Sequence, residues 1–193
     1  MFQARIHGRG GQGVVTAAEL LSSAAFLDGR HSQAFPSFGS ERMGAPVVAF
    51  CRIDDSRIRR HDPVTEADAI VVQDPTLLHE VDLFSGLSDG GFALINSERT
   101  VQELGLDDLA TRLPAGHLVT CPASDIARRR TGRPLPNAVL LGGLAALTGC
   151  VRLDSVGAAI RQRLSGSVGV NNEAAAREGA SAVATAVGSH ADA

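Results

Sequence analysis

The chain has 193 residues, a formal net charge of −3, and 44% apolar against 20% charged residues, enough for one domain that buries a real core without a disulfide or metal staple. Its 18 basic residues are all Arg, with no Lys, Trp or Tyr and seven Phe. That excludes Schiff-base chemistry and a P-loop lysine, and the acidic balance and scarce aromatics argue against nucleic acid as a partner. Residues 2–7 read as a first strand and the Gly-rich run 8–13 as a turn. Residues 14–28 read as a helix, with apolar positions at spacings of three and four, stopped by Gly29. Residues 31–35 are a second short strand and 36–44 a Ser- and Gly-rich loop. Residues 45–53 are β-rich, followed by an Asp-Asp-Ser turn. Three buried strands follow, 69–72 (ended by Asp74-Pro75), 92–96 and 116–121, with a helix over 101–113 between the last two. From Asn137 the chain is helical: 138–147 apolar nearly all round, 151–164 amphipathic, and 171–187 Ala-rich. Strands of this kind alternating with helices predict an α/β fold, a Rossmann-like three-layer sandwich with a mostly parallel sheet and a helical C-terminal segment. The reading is one domain over residues 1–187 and a flexible tail over 188–193.

Gly8-x-Gly10-x-x-Gly13 follows a strand and opens a helix, the context a phosphate-binding turn requires. Glycine lets backbone N–H groups approach an anion, and the helix start adds partial positive charge. Arg9 would add a charged fork and Gln12 an amide at the mouth of the helix. A NAD site needs an acidic residue about 20 positions on, at the end of the second strand, and residues 31–36 contain none. The loop Ser37 to Pro46 would face this turn if the carboxyl ends of neighbouring strands converge on one crevice. Arg42 would then reach a phosphate, Glu41 would orient it, and Ser40 and the Gly44 backbone would donate hydrogen bonds. A simple tight turn and a solvated loop are the plain alternatives.

Together these segments resemble one family. Residues 8–21 look like the opening of the gamma subunit of 2-oxoacid:ferredoxin oxidoreductases, and Phe35-Pro36-Ser37-Phe38-Gly39-Ser40-Glu41-Arg42-Met43-Gly44-Ala45-Pro46-Val47 is similar to that family's second hallmark. Residues 136–145, Pro-Asn-Ala-Val-Leu-Leu-Gly-Gly-Leu-Ala, resemble its Asn-initiated helix, and the three matches in order cover about residues 1–180. The Ser-Phe-Gly-Ser-Glu-Arg form looks like the pyruvate and 2-oxoisovalerate branch; Met43 departs from the second Arg the family often carries. The resemblance implies an enzyme that oxidatively decarboxylates a 2-oxoacid, makes acyl-coenzyme A and passes electrons to ferredoxin. It places thiamine diphosphate with Mg in alpha and beta partner subunits, and iron–sulfur clusters in a beta or delta subunit. The gamma chain would bind part of coenzyme A through Gly8, Arg9, Gly10, Gln12, Gly13, Ser40, Glu41, Arg42 and Gly44, hold the complex together, and carry no catalytic or metal-binding residue of its own. A homodimer is expected when it is isolated. A stand-alone nucleotide-dependent oxidoreductase and a purely structural subunit with an empty turn are the rivals.

The remaining candidates are weaker. Cys51, Cys121 and Cys150 have no C-x-x-C spacing and cannot by themselves hold a four-Cys cluster; their apolar neighbours suggest reduced core thiols in a cytoplasmic protein, with Cys121 at a strand end the one position where a reactive thiol is conceivable. The six His show no zinc spacing. Arg57, Arg59, Arg60 and His61 read as a solvated edge or as an interface with an acidic chain, and Arg128–Arg130 with Arg133 as a docking surface or an anion contact. Asp125 is read as the cap of a short helix. Asn137 is read as the cap of the buried helix, with a ligand contact as the alternative. Gly-rich sequence from position 8 argues against a signal peptide, and no apolar run reaches membrane-spanning length.

Overall fold

The computed structural model describes residues 1–37 and 43–191. Its centre is a six-stranded sheet: β1 (Phe2–Arg9), β2 (His31–Pro36), β3 (Pro46–Asp54), β4 (Ala67–Val72), β5 (Leu87–Asn96) and β6 (Leu118–Cys121), in the order β2-β3-β1-β4-β5-β6. β1, β4, β5 and β6 are mutually parallel, with Ile6 opposite Val71, Val71 opposite Leu94 and Leu94 opposite Val119. β3 runs antiparallel to both β1 and β2, so the parallel sheet carries an antiparallel margin. Because β3 reverses direction, β2 points the same way as β1, and their carboxyl ends lie on one edge.

The strands bury both faces. On one, Ala4, Ile6, Cys51, Ile53, Val71, Leu94 and Cys121 pack under α1 (Val14–Leu27), α4 (Asn137–Thr148), α5 (Leu153–Arg163) and α6 (Gly166–Ala191). On the other, Phe50, Ile70, Val72 and Ile95 meet Leu77 of a 3-10 turn (Pro75–His79), together with Leu83, Val101, Leu104 and Leu109 of α2 (Asp107–Arg112). The result is the three-layer α/β arrangement expected from the strand and helix pattern. α4 is buried from Ala138 to Ala145, which is why it is apolar nearly all round, and α6 packs against it. A Cβ placed on Gly142 would lie 1.9 Å from the Ala176 carbonyl oxygen, and one on Gly179 would lie 2.3 Å from that of Val139. The two helices therefore touch backbone to backbone. Asp28, just past α1, fixes the start of α5 by accepting from the Arg152 N–H at 2.8 Å and the Ser155 hydroxyl at 2.5 Å.

Several elements differ from the sequence reading, β5 among them, which begins at Leu87 and not at residue 92. Of the helix expected over 101–113 only α2 is helical; residues 101–105 are turns, ended by the left-handed Gly105 (φ 70°) and the return of the Leu106 N–H to Val101 O. The short helix expected at the Arg run is α3 (Ala123–Thr131), whose buried side is only Ala123, Ile126 and Ala127. Asp125 is the third residue of α3 and does not cap it; Pro122 holds the cap position. α6 starts five residues earlier than expected and runs to Ala191, past the point where a tail was placed. Among the described residues, no helix is long and apolar enough to cross a membrane.

Candidate functional site

The carboxyl end of β1 runs straight into the Gly-rich turn. Gly8 still pairs within the sheet, and a Cβ there would come within 2.7 Å of Val14 Cγ2, so this glycine sets how closely α1 approaches the strand. Gly13 stands at the helix cap in the left-handed region (φ 74°, ψ 33°), which an L side chain disfavours, with Asn137 Nδ2 2.7 Å from where a Cβ would be. No side chain caps α1. The N–H groups of Val14, Val15 and Thr16 consequently have no acceptor among the described residues, and the first turn carries no acidic or basic residue. These donors open on a crevice of about 300 Å³ lined by Arg9, Gly10, Gly11, Gly13, Val14, Val15, Thr16 and Val47.

The second loop does meet this turn. The Gly10 N–H donates to Ala45 O (2.9 Å), the Gly44 N–H donates to Gly10 O (3.1 Å), and Gly10 forms a parallel bridge with Met43. Ser40, Glu41 and Arg42 lie outside the described residues. Gly44 is brought to the site, but its N–H is spent on Gly10 and its carbonyl accepts from Arg9 Nη1 at 3.2 Å, so it holds the turn closed.

Arg9 and Gln12 have different work from that expected. The Arg9 guanidinium reaches across the sheet edge to Thr76, to Glu80 at 2.5 Å and to Asp74 at 3.3 Å. Hydrogen bonding to Glu80, with the charges of Glu80 and Asp74, raises its pKa further. Two carboxylates answer one cation, so Arg9 offers no spare fork to a phosphate. Gln12 Oε1 accepts the Arg9 N–H at 2.7 Å, and Gln12 Nε2 donates to Asp74 at 2.8 Å. Burial favours the protonated Asp74, but hydrogen bonds from Thr76 and Gln12 and the Arg9 charge outweigh it and hold the carboxyl below its ordinary range. This network is a brace that sets the turn from outside.

A second cavity, about 260 Å³, adjoins this crevice, with Thr16 lining both. Its walls come from α1 (Leu20), the last residue of α3 (Thr131), the α3–α4 connection (Arg133, Leu135), the start of α4 (Asn137, Ala138), Leu164 after α5, and the first turns of α6 (Val168, Asn171, Asn172). Asn137 does not cap α4. Pro136 occupies the cap position, and Asn137 is the first helical residue, its Oδ1 accepting the Ala138 N–H at 2.9 Å. The Arg run largely serves the fold: Arg128 pairs with Asp125, and both Arg129 and Arg130 pair with Glu178 of α6. Arg133 is exposed; its backbone N–H donates to Thr131 Oγ1, and its guanidinium has no partner among the described residues. Arg60 pairs with Asp62, while Arg57 and Arg59 are exposed on an irregular segment.

The thiols are core residues. Burial pushes Cys121 up to about 12 and Cys51 higher still, and raises Cys150. None is a nucleophile at neutral pH, and Cys121 is not the reactive thiol that its place at a strand end allowed. The sequence reading does not single out two buried polar residues at the strand ends. His7 is 9% exposed; burial, with the Arg5 charge second, pulls its imidazole down to about 4. Gln73 is 1% exposed, and neither end of its amide has a hydrogen-bond partner. Their one sequence signal is position, at the ends of β1 and β4. Among the described residues, no cluster of three His, Cys, Asp or Glu side chains is placed to hold a metal ion.

Residues 3–182 match the family described as pyruvate ferredoxin/flavodoxin oxidoreductase. The chain belongs to that family. It is similar to the pyruvate/ketoisovalerate oxidoreductases common subunit gamma of Thermococcus kodakarensis, with 48% identity over 178 residues that span 92% of this chain and 95% of that one. It is also similar to the pyruvate synthase subunit PorC of Methanothermobacter thermautotrophicus, with 47% identity over 177 residues, 92% of this chain and 93% of the other. The crystal structure of the pyruvate oxidoreductase subunit from Thermotoga maritima superposes with a TM-score of 0.79 at 33% identity, covering 94% of this chain and 96% of that one. The chain is thus a gamma subunit of the 2-oxoacid:ferredoxin oxidoreductase family, a member of a multi-subunit oxidoreductase.

Proposed function

We propose that this gamma subunit binds the pyrophosphate of coenzyme A at the start of α1 and performs no chemistry alone. Three features support the reading. The first-turn N–H groups are unpaired and face a crevice, and the helix end supplies partial positive charge there. The end of β2 offers no carboxylate for an adenosine ribose, which disfavours NAD. The polar residues placed against the turn are committed to bracing it. Holding the nucleotide part of coenzyme A fixes where its thiol arrives, so binding energy remote from the reaction becomes orientation at the reacting centre. Thiamine diphosphate with Mg and the iron–sulfur clusters then belong to alpha, beta or delta partner subunits, with ferredoxin as electron acceptor, in a cytoplasmic complex. The carrying observation is the set of uncapped N–H groups at Val14, Val15 and Thr16.

The test is calorimetric titration of the chain co-expressed with its partner subunits, with coenzyme A and separately with NAD. Coenzyme A is expected to bind and NAD to stay silent. Binding of NAD without coenzyme A would favour the stand-alone nucleotide enzyme. Silence with both would leave a structural subunit with an empty turn.

A further inference from the structure

β3 ends at Asp54, next to the start of β1 and on the sheet edge opposite the Gly-rich turn. The irregular chain that follows is tied down at both ends. Asp54 accepts from the Ser56 N–H and the Ser56 hydroxyl, each at 2.9 Å. Further on, Gln33 Nε2 donates to His61 Nδ1 at 2.7 Å. The Arg52 guanidinium, 0% exposed, donates to Asp62 O at 2.7 Å and lies 5.4 Å from the centre of the Phe35 ring. Gln3 Nε2 donates to Glu66 O at 3.0 Å. Between these anchors, Arg57, Ile58 and Arg59 make no hydrogen bond or ion pair among the described residues. Arg57 is exposed, Ile58 half-buried and Arg59 exposed, the alternation of extended chain, so both guanidiniums stand on one side. The carboxylates close in sequence are taken. Asp54 meets the amino terminus at 3.4 Å, Asp55 meets Arg30 at 2.8 Å, and Asp62 meets Arg60 at 2.6 Å and Arg52 at 3.4 Å. On a chain of net charge −3, two adjacent cations are left unanswered.

We propose that Arg57 to Arg59 is a docking strip for an extended acidic segment of a partner subunit, one with carboxylates at alternate positions. Charge complementarity names the occupant. Side chains two positions apart in extended chain stand about 6.5–7 Å apart, and the same repeat holds in a second extended chain laid alongside, so each guanidinium takes one carboxylate in a two-bond fork. Side chains that project in parallel do not converge on one phosphate. Ile58 adds apolar contact between the two cations, and the unpaired backbone N–H and C=O groups of the strip are what an added strand uses. The buried anchors Arg52 and Gln33 hold the strip in place beforehand, which lowers the entropy lost on docking. The strip lies on the far edge of the sheet from the start of α1, so it stands whether or not coenzyme A binds there.

The chain contains no Lys, so Arg57→Lys and Arg59→Lys, made separately, each keep the charge and give the subunit its one side-chain primary amine. In the assembled complex a water-soluble carbodiimide joins that amine to a carboxylate in contact with it, and mass spectrometry of the digest locates the bond. An amide to an Asp or Glu of a partner subunit is expected. An amide only to Asp55 or Asp62 of the same chain, an amide to a second copy of this chain, or no amide in an intact complex would each overturn the proposal. The double reversal Arg57→Glu/Arg59→Glu is expected to weaken binding of the subunit to the rest of the complex at least tenfold, and to remove the loss of affinity that added salt causes in wild type. Arg112→Glu, which reverses an exposed and equally unpaired cation on α2, should change that affinity less than twofold. Undiminished binding of the double variant, or an equal loss with Arg112→Glu, would sink the docking strip.

Discussion

Replacing Gly13 by Ala tests the link between backbone geometry and binding at the turn. Gly13 holds φ 74°, and an added Cβ would sit 2.7 Å from Asn137 Nδ2 and 4.0 Å from Thr16 Cβ. The left-handed conformation costs a side chain about 1–2 kcal/mol, and displacing a half-buried amide adds about 1 kcal/mol. A loss near 2–3 kcal/mol corresponds to a fall in Tm of about 5–10 °C for a chain of this length. The two parts are separable. Asn137→Ala removes the clash and leaves the backbone strain, so the double variant should recover about 1 kcal/mol relative to additivity. Binding should suffer as well, since a cap forced out of this conformation re-aims the N–H groups of Val14 and Val15. Losing one charge-assisted bond of about 1.5–3 kcal/mol weakens coenzyme A roughly ten- to hundredfold. Thermal denaturation of the three variants, with calorimetry on Gly13→Ala, reads all of this. A Tm within about 1 °C of wild type, zero coupling to Asn137 and undiminished coenzyme A binding would refute the reasoning.

Two further outcomes probe the frame that holds the site. Gly142→Ala should cost more than the usual 1–3 kcal/mol of overpacking (about 3 kcal/mol or above), because its neighbour at 1.9 Å is a backbone oxygen; Gly90→Ala, where an added Cβ meets nothing within 4 Å, should change stability by less than about 0.5 kcal/mol, and comparable losses in denaturant melts would contradict the α4–α6 contact. His7 titrates at about 4 when folded against 6.5 when unfolded, so below 6.5 the unfolded chain binds the extra proton and stability falls as pH drops toward 4. The loss at pH 5 is about 2 kcal/mol, and His7→Gln should remove that part of the difference between guanidinium midpoints at pH 7 and pH 5.

What the sequence made legible follows distance along the chain. The turn 8–13 is a contiguous pattern, so it stands out without a structure, and Gly8, Gly11 and Gly13 each answer to a nearby contact. The strands at 69–72 and 92–96 are apolar because both faces are covered, and run length alone shows that. Arg9 reads as a phosphate fork because its partners, Asp74 and Glu80, lie more than sixty positions away. The Arg128–Arg130 run reads as a docking surface for the same reason: Glu178, which neutralises two of the three, is on α6. Asn137 reads as a cap because Asn before an apolar run usually is one, but Pro136, with its fixed φ, takes that position and turns Asn137 into a cavity wall. The cavity itself has no local signature, since six segments contribute to it.

The chemistry available at the carboxyl edge of the sheet limits the role the chain can play. Among the described residues around the turn, the groups without a partner are backbone N–H donors, the Thr16 hydroxyl and amides. These orient a ligand and do not move protons at neutral pH. The ionisable groups close by are committed: Asp74 and Glu80 to Arg9, His7 to a buried neutral state, and Cys121 to a thiol raised to about 12. On the proposed function, such a site contributes by delivering a reactant in the right place, and the gain is realised where the reacting partner is held. The brace formed by Arg9, Gln12, Asp74 and Glu80 then has a definite purpose. It spends charge to stop the turn from moving, because a displacement of about 1 Å at a positioning site can cost a hundredfold in rate. If the proposed binding of coenzyme A holds, a turn braced in this way suits a subunit that positions a cosubstrate for chemistry on another chain.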